Sequence, residues 1–155
     1  MPFRLVILLA VLLLATTTSA QANDISGRAE VISSNMLRIG QAKIVLWGIK
    51  APEKGQVCTP FAGGRKIPCG NMAFQALKAL VPDAPITCTP KSKTKTKKRL
   101  VAHCRYQQKD INKMMVEGGF ARAIPGESMS YVRLERMAAE KRAGLWRLLI
   151  AAPGK

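Results

Sequence analysis

The chain has 155 residues, and its 25 Lys and Arg stand against 9 Asp and Glu for a formal net charge of +16. That length leaves room for one domain with a modest core and excludes a second sizeable one. The surplus of positive charge points to a polyanionic partner: nucleic acid, acidic polysaccharide or an anionic membrane surface.

The first segment is set apart from the fold. "MPFR" is a short basic start, "LVILLAVLLLA" is an apolar run of 11 residues, and "TTTSAQA" supplies small residues for cleavage after Ala22 or Ala20. Such a run falls short of the ~20 residues needed to span a bilayer, so residues 1–22 are expected to be a cleaved secretory signal peptide. Only Arg4 is lost with it, which leaves 133 residues carrying +15. A bacterial secreted or periplasmic protein follows, with no transmembrane span after cleavage.

Three extended segments come next. "ISGRAEVIS" (25–33) is rich in β-branched residues, and "MLRI" (36–39) and "AKIVLW" (42–47) flank Gly40-Gln41, a tight hairpin turn. The stretch from Lys50 to Gly70 carries Pro and Gly throughout and no sustained period, as a loop does. "NMAFQALKALV" (71–81) places Met72, Leu77 and Leu80 at helical spacing before Pro82. "ITCTP" (86–90) and "LVAHCRY" (100–106) are two more strands. Asp110 can cap a helix over "INKMMVEGG", ended by Gly118 and Gly119. Ser128 or Ser130 can cap a last helix over 131–146, with Tyr131, Leu134, Met137, Ala138 and Leu145 as its apolar stripe and Gly144 as a stop. These stripes suit core packing better than a cofactor site. The order fits an α+β fold: a five-stranded OB-type β-barrel with three helices, a helix intervening between the third and fourth strands.

The cysteines are Cys58, Cys69, Cys88 and Cys104. An even number in an exported domain implies disulfides, with three possible pairings. Zinc fits poorly, because no C-x-x-C occurs and His103 is the only histidine. The favoured pairing is Cys58–Cys69, closing a short Gly/Pro loop, and Cys88–Cys104, joining two strands.

Several islands, in order, resemble the staphylococcal nuclease-like (thermonuclease) family. "VISSNMLRI" stands where that family has V-x-D-G-D-T-hydrophobic, and "LWGIKAPE" is similar to L-x-G-I-D-A-P-E. "KKRLVAHC" resembles Y-G-R-x-x-A, "MVEGGFARA" the l-V-x-x-G-x-A segment, and "EKRAGLW" the G-L/I-W ending. The resemblance implies a nuclease-fold domain over 23–148 with a short tail at 149–155. Active members cut DNA and RNA with calcium, using two metal-binding aspartates, a glutamate near the attacking water, and two arginines on the phosphate.

Carried over residue by residue, the resemblance puts the glutamate at Glu53 and one arginine at Arg99. These two are the candidate catalytic residues. The second arginine falls on Val45, the paired aspartates of D-G-D-T on Ser33 and Asn35, and the aspartate before A-P-E on Lys50. Where the family's metal shell would sum to −3, Asn35, Lys50 and Glu53 sum to zero. Calcium wants anionic oxygens, and a lysine supplies only donors. One misplaced unit charge at ~5 Å costs on the order of several kcal/mol at an effective dielectric near 20. Losing one donor to transition-state charge costs roughly 3–4 kcal/mol more. No metal is therefore expected at Asn35 and Lys50, and a Lys50–Glu53 ion pair is the simpler account of both residues.

"KSKTKTKKR" (91–99) holds six positive charges in nine residues. Lys91, Lys93, Lys95, Lys97, Lys98 and Arg99 would form a cationic finger beside the old phosphate cleft, suited to phosphate or carboxylate contacts rather than base reading. Trp47, Phe61 and Tyr106 are the stacking residues nearest in sequence, too few for stacking-driven single-strand recognition. The expected protein is a monomeric, exported, degenerate nuclease that binds polyanions and needs no cofactor. Two alternatives remain: an active secreted endonuclease with an altered calcium site, and an accessory role in exopolysaccharide biosynthesis, with which some relatives of this family are associated.

Overall fold

A computed structural model describes residues 24–91 and 99–149. The expected signal peptide, Lys93, Lys95, Lys97, Lys98 and most of the expected tail lie outside the described residues. The first three strands are β1 (Ile25–Ser33), β2 (Met36–Ile39) and β3 (Ala42–Leu46). They form an antiparallel meander whose Ile39↔Ala42 register closes over Gly40-Gln41. β5 (Pro85–Pro90) pairs antiparallel with β1 and with β6 (Leu100–Tyr106). A short parallel pairing of β3 with β6, Ile44↔Leu100 to Leu46↔Ala102, then closes the five strands into a barrel. Closure gives each of these strands a neighbour on both sides, so none of them is left as a long open edge.

Alternation decides what fills the barrel. Leu37, Ile39, Ile44, Leu46, Ile86, Cys88, Ala102 and Cys104 recur at every second position and are buried, as the two-residue period of a strand requires. α1 (Cys69–Leu80) adds Ala73 and Leu77 to this core, and α2 (Ile111–Glu117) adds Ile111, Met115 and Val116. α1 begins directly after Pro68, the last proline of the loop, and stops at Val81, where Pro82 cannot continue it. α2 is capped by Asp110, whose Oδ1 accepts the Lys113 N–H at 2.8 Å.

α3 (Met129–Glu140) is capped by Ser128. It ends six residues before the expected Trp146, because Arg142 and Gly144 both adopt positive φ and turn the chain. Trp146–Leu149 then forms a separate single turn, α4, in addition to the three expected helices. Of the expected stripe, Tyr131, Ala138 and Leu145 are buried, whereas Met137 is 47% exposed. Met137 lies within α3 but is turned about 120° round the helix from Tyr131, at the edge of the stripe. Three two-residue strands complete the picture: β4 (Ile49–Lys50) paired with β8 (Arg122–Ala123), and β7 (Lys109–Asp110) paired with the end of β6.

Both expected disulfides are formed. Cys88 and Cys104 face each other directly across β5 and β6 inside the barrel, and Cys58–Cys69 ties the long loop to the start of α1. Asn112 is fully buried although it carries an amide. Its Oδ1 accepts the Cys104 N–H at 3.0 Å, and its Nδ2 donates to the carbonyls of Trp47 at 2.8 Å and Ala102 at 3.2 Å. All of these amide bonds therefore fall at the β3–β6 seam.

Candidate anion-binding cleft

The β1–β2 turn, the end of β3 and the turn after Pro52 converge on α1. Ser34 is buried in the first of these turns and donates its hydroxyl to the Gly70 carbonyl at 3.1 Å. Asn35 is fixed beside it, its carbonyl accepting the Leu46 N–H at 2.9 Å. The Glu53–Gln56 turn is closed twice, by Gln56 N–H on the Glu53 carbonyl at 2.8 Å and by Glu53 N–H on Gln56 Oε1 at 3.0 Å. Gly70 N–H in turn reaches the Gln56 carbonyl at 3.0 Å. A Cβ on Gly70 would overlap the Glu53 carbonyl oxygen, so glycine is the residue that lets helix and turn meet here.

The resulting hollow of about 410 Å³ is lined by Ile32, Ser33, Asn35, Met36, Val45, Glu53, Lys54 and Arg99. Five of the six positions carried over by resemblance are thus brought together: Ser33, Asn35, Val45, Glu53 and Arg99. Lys54 joins them, its ammonium 4.2 Å from the centre of the Phe74 ring. One carboxylate and two cations line the hollow. Arg99 immediately precedes β6, in which Leu100 pairs with Ile44.

Lys50 is the exception. Gly48 has φ +76° and its N–H is held by Glu127 Oε2 at 2.6 Å, which turns the chain sharply after β3. Ile49 is then buried and Lys50 exposed. Lys50 lines a different hollow, with Pro52, Phe120, Arg122, Leu145 and Trp146 among its walls. Among the described ion pairs none joins Lys50 to Glu53, because the two side chains line separate hollows.

A polar cluster lies further along β6. Asp110 Oδ2 accepts from His103 Nε2 at 2.9 Å and from the Tyr131 hydroxyl at 2.9 Å. Trp47 meets Tyr131 edge-on at 6.0 Å, and the Lys91 ammonium lies 5.2 Å from the Trp47 ring centre. Lys91 N–H is bonded to the Val101 carbonyl at 2.9 Å, so one end of the cationic run is fixed to β6 and the other immediately precedes that strand. Phe61 is 68% exposed in the long loop and Tyr106 packs against the core. The three aromatics do not make one stacking surface.

Burial works to raise the Asp110 carboxyl, but the bonds from His103, Lys113 N–H and Tyr131 outweigh it and hold its pKa below the ordinary carboxylate value. Burial, the bond to Asp110 and that residue's charge push the Tyr131 hydroxyl well above its usual range. The lowered Asp110 pKa means its contribution is whole above the unfolded value near 3.9 and is lost as pH falls through the folded one. Asp110→Ala is expected to cost about 1–3 kcal/mol at pH 7, from the lost cap and the orphaned Tyr131 hydroxyl. Urea unfolding at pH 7 and pH 3 checks it: the gap from wild type must shrink at the lower pH, and an equal gap at both refutes the linkage.

Sequence reasoning missed Gly70, Ser34, Glu127 and Asn112. Asn112 carried a signal: it shares a helical face with Met115 and Val116, an odd place for an amide unless it serves the backbone. Glu127 carried none, since its partner Gly48 lies 79 residues away.

Comparison with known proteins agrees with this geometry. The family model described as staphylococcal nuclease homologue matches residues 43–148, beginning after the turn that bears Ser33 and Asn35. The succinoglycan biosynthesis protein ExoI of Rhizobium meliloti (strain 1021) is 31% identical over 139 residues, covering 87% of this chain and 71% of that protein.

Proposed function

The chain belongs to the staphylococcal nuclease homologue family, and we propose that it is an exported member that binds polyanions at the former catalytic cleft without calcium-dependent phosphodiester hydrolysis. The observation that carries this reading is the donor set of the cleft. Glu53 is the one carboxylate among its lining residues, beside the amide of Asn35, the hydroxyl of Ser33 and the cations Lys54 and Arg99. Calcium takes six to eight oxygens, several of them anionic, and this set does not fit it. An anion meets the opposite situation: two cations line the cleft, and one of them, Arg99, is the last residue of the charge run 91–99 in the sequence. The two disulfides suit an oxidising compartment, in keeping with export.

The oxidised protein from residue 23 onward is expected to leave plasmid DNA and RNA intact with calcium or with chelator. Cleavage that requires a divalent metal and disappears in Glu53→Gln would overturn the proposal. Lys50→Asp alone is expected to restore nothing, since Val45 and Asn35 remain and position 50 lines another hollow.

The similarity to a protein named for succinoglycan biosynthesis supports a second reading, in which the polyanion is an acidic polysaccharide and the role is accessory to its synthesis. Titration against duplex DNA and an acidic glycan in moderate salt separates the two. Binding to the glycan that survives such salt, while DNA binding is lost, favours the second.

A further inference from the structure

Lys50 has a neighbourhood of its own. β4 and β8 pair antiparallel with Lys50 directly opposite Arg122, and opposed residues of such a pair project from the same face. Like charges in that position repel one another, and Glu135 offsets this in part, accepting from Arg122 Nε at 3.0 Å. The two cations border a hollow of about 430 Å³ with apolar walls from Pro52, Phe120, Leu145 and Trp146, and no carboxylate among its lining residues. The Arg122 guanidinium lies 5.9 Å from the centre of the Trp146 ring. Among the described residues, the indole Nε1 of Trp146 is buried without a hydrogen-bond acceptor, a state that normally has a ligand or solvent explanation.

We propose that this hollow is a binding site for a small amphiphilic carboxylate: an organic acid whose anionic end lies between Lys50 and Arg122 and whose aromatic or aliphatic body packs on Phe120, Leu145 and Trp146. The volume falls in the range of small-molecule sites, which combine apolar walls with a few placed polar groups. An inorganic anion would leave the walls unused, and a neutral hydrophobe would leave two cations opposed. A carboxylate relieves that opposition through charge-assisted hydrogen bonds. Lys50 is thus the specificity residue of a second site rather than damage to the first.

The test uses 2-naphthoate and its neutral isostere 2-naphthamide, titrated into the ¹⁵N-labelled oxidised protein. The chain has two tryptophans, and Trp47→Phe assigns their indole N–H resonances. The Trp146 resonance is expected to shift saturably with naphthoate, and the amide to bind at least about tenfold more weakly. Lys50→Gln and Arg122→Gln are each expected to weaken naphthoate about tenfold, the effect of one charge-assisted bond. Lys78→Gln, on the exposed side of α1, leaves it unchanged. Equal affinity for acid and amide, an unmoved Trp146 resonance, or full binding by Lys50→Gln overturns the proposal. DNA binding at the cleft is read separately and does not depend on this outcome.

Discussion

Raising salt from about 50 to about 200 mM is expected to lower the affinity of the oxidised protein for duplex DNA roughly a thousandfold. Each phosphate contact releases condensed counterions and contributes about 0.9 to the slope of log K against log salt. Six contacts, one for each cation of the run 91–99, give a slope near 5 on that basis. Replacing Lys91, Lys93, Lys95, Lys97, Lys98 and Arg99 together by Gln is expected to remove most of the slope and most of the affinity. The residual belongs to Lys54 and the scattered surface charge. A variant that keeps both slope and affinity would move the polyanion surface elsewhere on the molecule. Single neutralisations should each lower the slope by about one, with no change in preference between DNA sequences.

Reduction of the two disulfides is the second large effect. Cys58–Cys69 spans 11 residues and Cys88–Cys104 spans 16, and loop closure on these scales stabilises by about 3 kcal/mol each. Together that is comparable to the whole net stability of an ordinary domain, about 5–15 kcal/mol. The reduced protein is expected to melt roughly 15–25 °C below the oxidised one. The two bridges should differ. Cys88 and Cys104 are both fully buried in the barrel, whereas of the other pair only Cys69 is, so Cys88→Ala with Cys104→Ala leaves the larger cavity. Cys58→Ala with Cys69→Ala loosens the loop beside Gly70 and the Glu53 turn, and lowers anion affinity for a smaller loss of stability. Differential scanning calorimetry of the two double variants checks the order. Equal melting temperatures for oxidised and reduced wild type would refute the account.

What was legible in the sequence was whatever a local period could encode. The strand alternation that buries Leu37 with Ile39 and Ile44 with Leu46 is written in neighbouring residues, as are the Asp110 cap and the Gly40 turn. The end of α3 was legible only in part: Gly144 marks a stop, but the helix already ends at Glu140 and Arg142 takes positive φ before the glycine is reached. The cleft was legible as a set of motif positions, and five of them do converge. Lys50 was not, because a motif records order along the chain and says nothing of which way a two-residue strand faces. Gly48 decides that, through a bend whose anchor, Glu127, is far away in sequence. The repulsion assigned to Lys50 at a metal shell belongs instead to a pair with Arg122 on another surface.

The barrel seam has a consequence in time as well as in space. β3 and β6 join by three residue pairs whose members are 56 positions apart, and Asn112 supplies bonds to the backbone on both sides of that join. Contacts so distant in sequence form slowly, because the chain between them must first be ordered. Without the amide, the Trp47 carbonyl and the Cys104 N–H would lose their side-chain partner at the seam. Barrel closure and the docking of α2 therefore share the same bonds, so each stabilises the other. The zipping of the sheet and the docking of the helix are coupled in free energy through one buried amide.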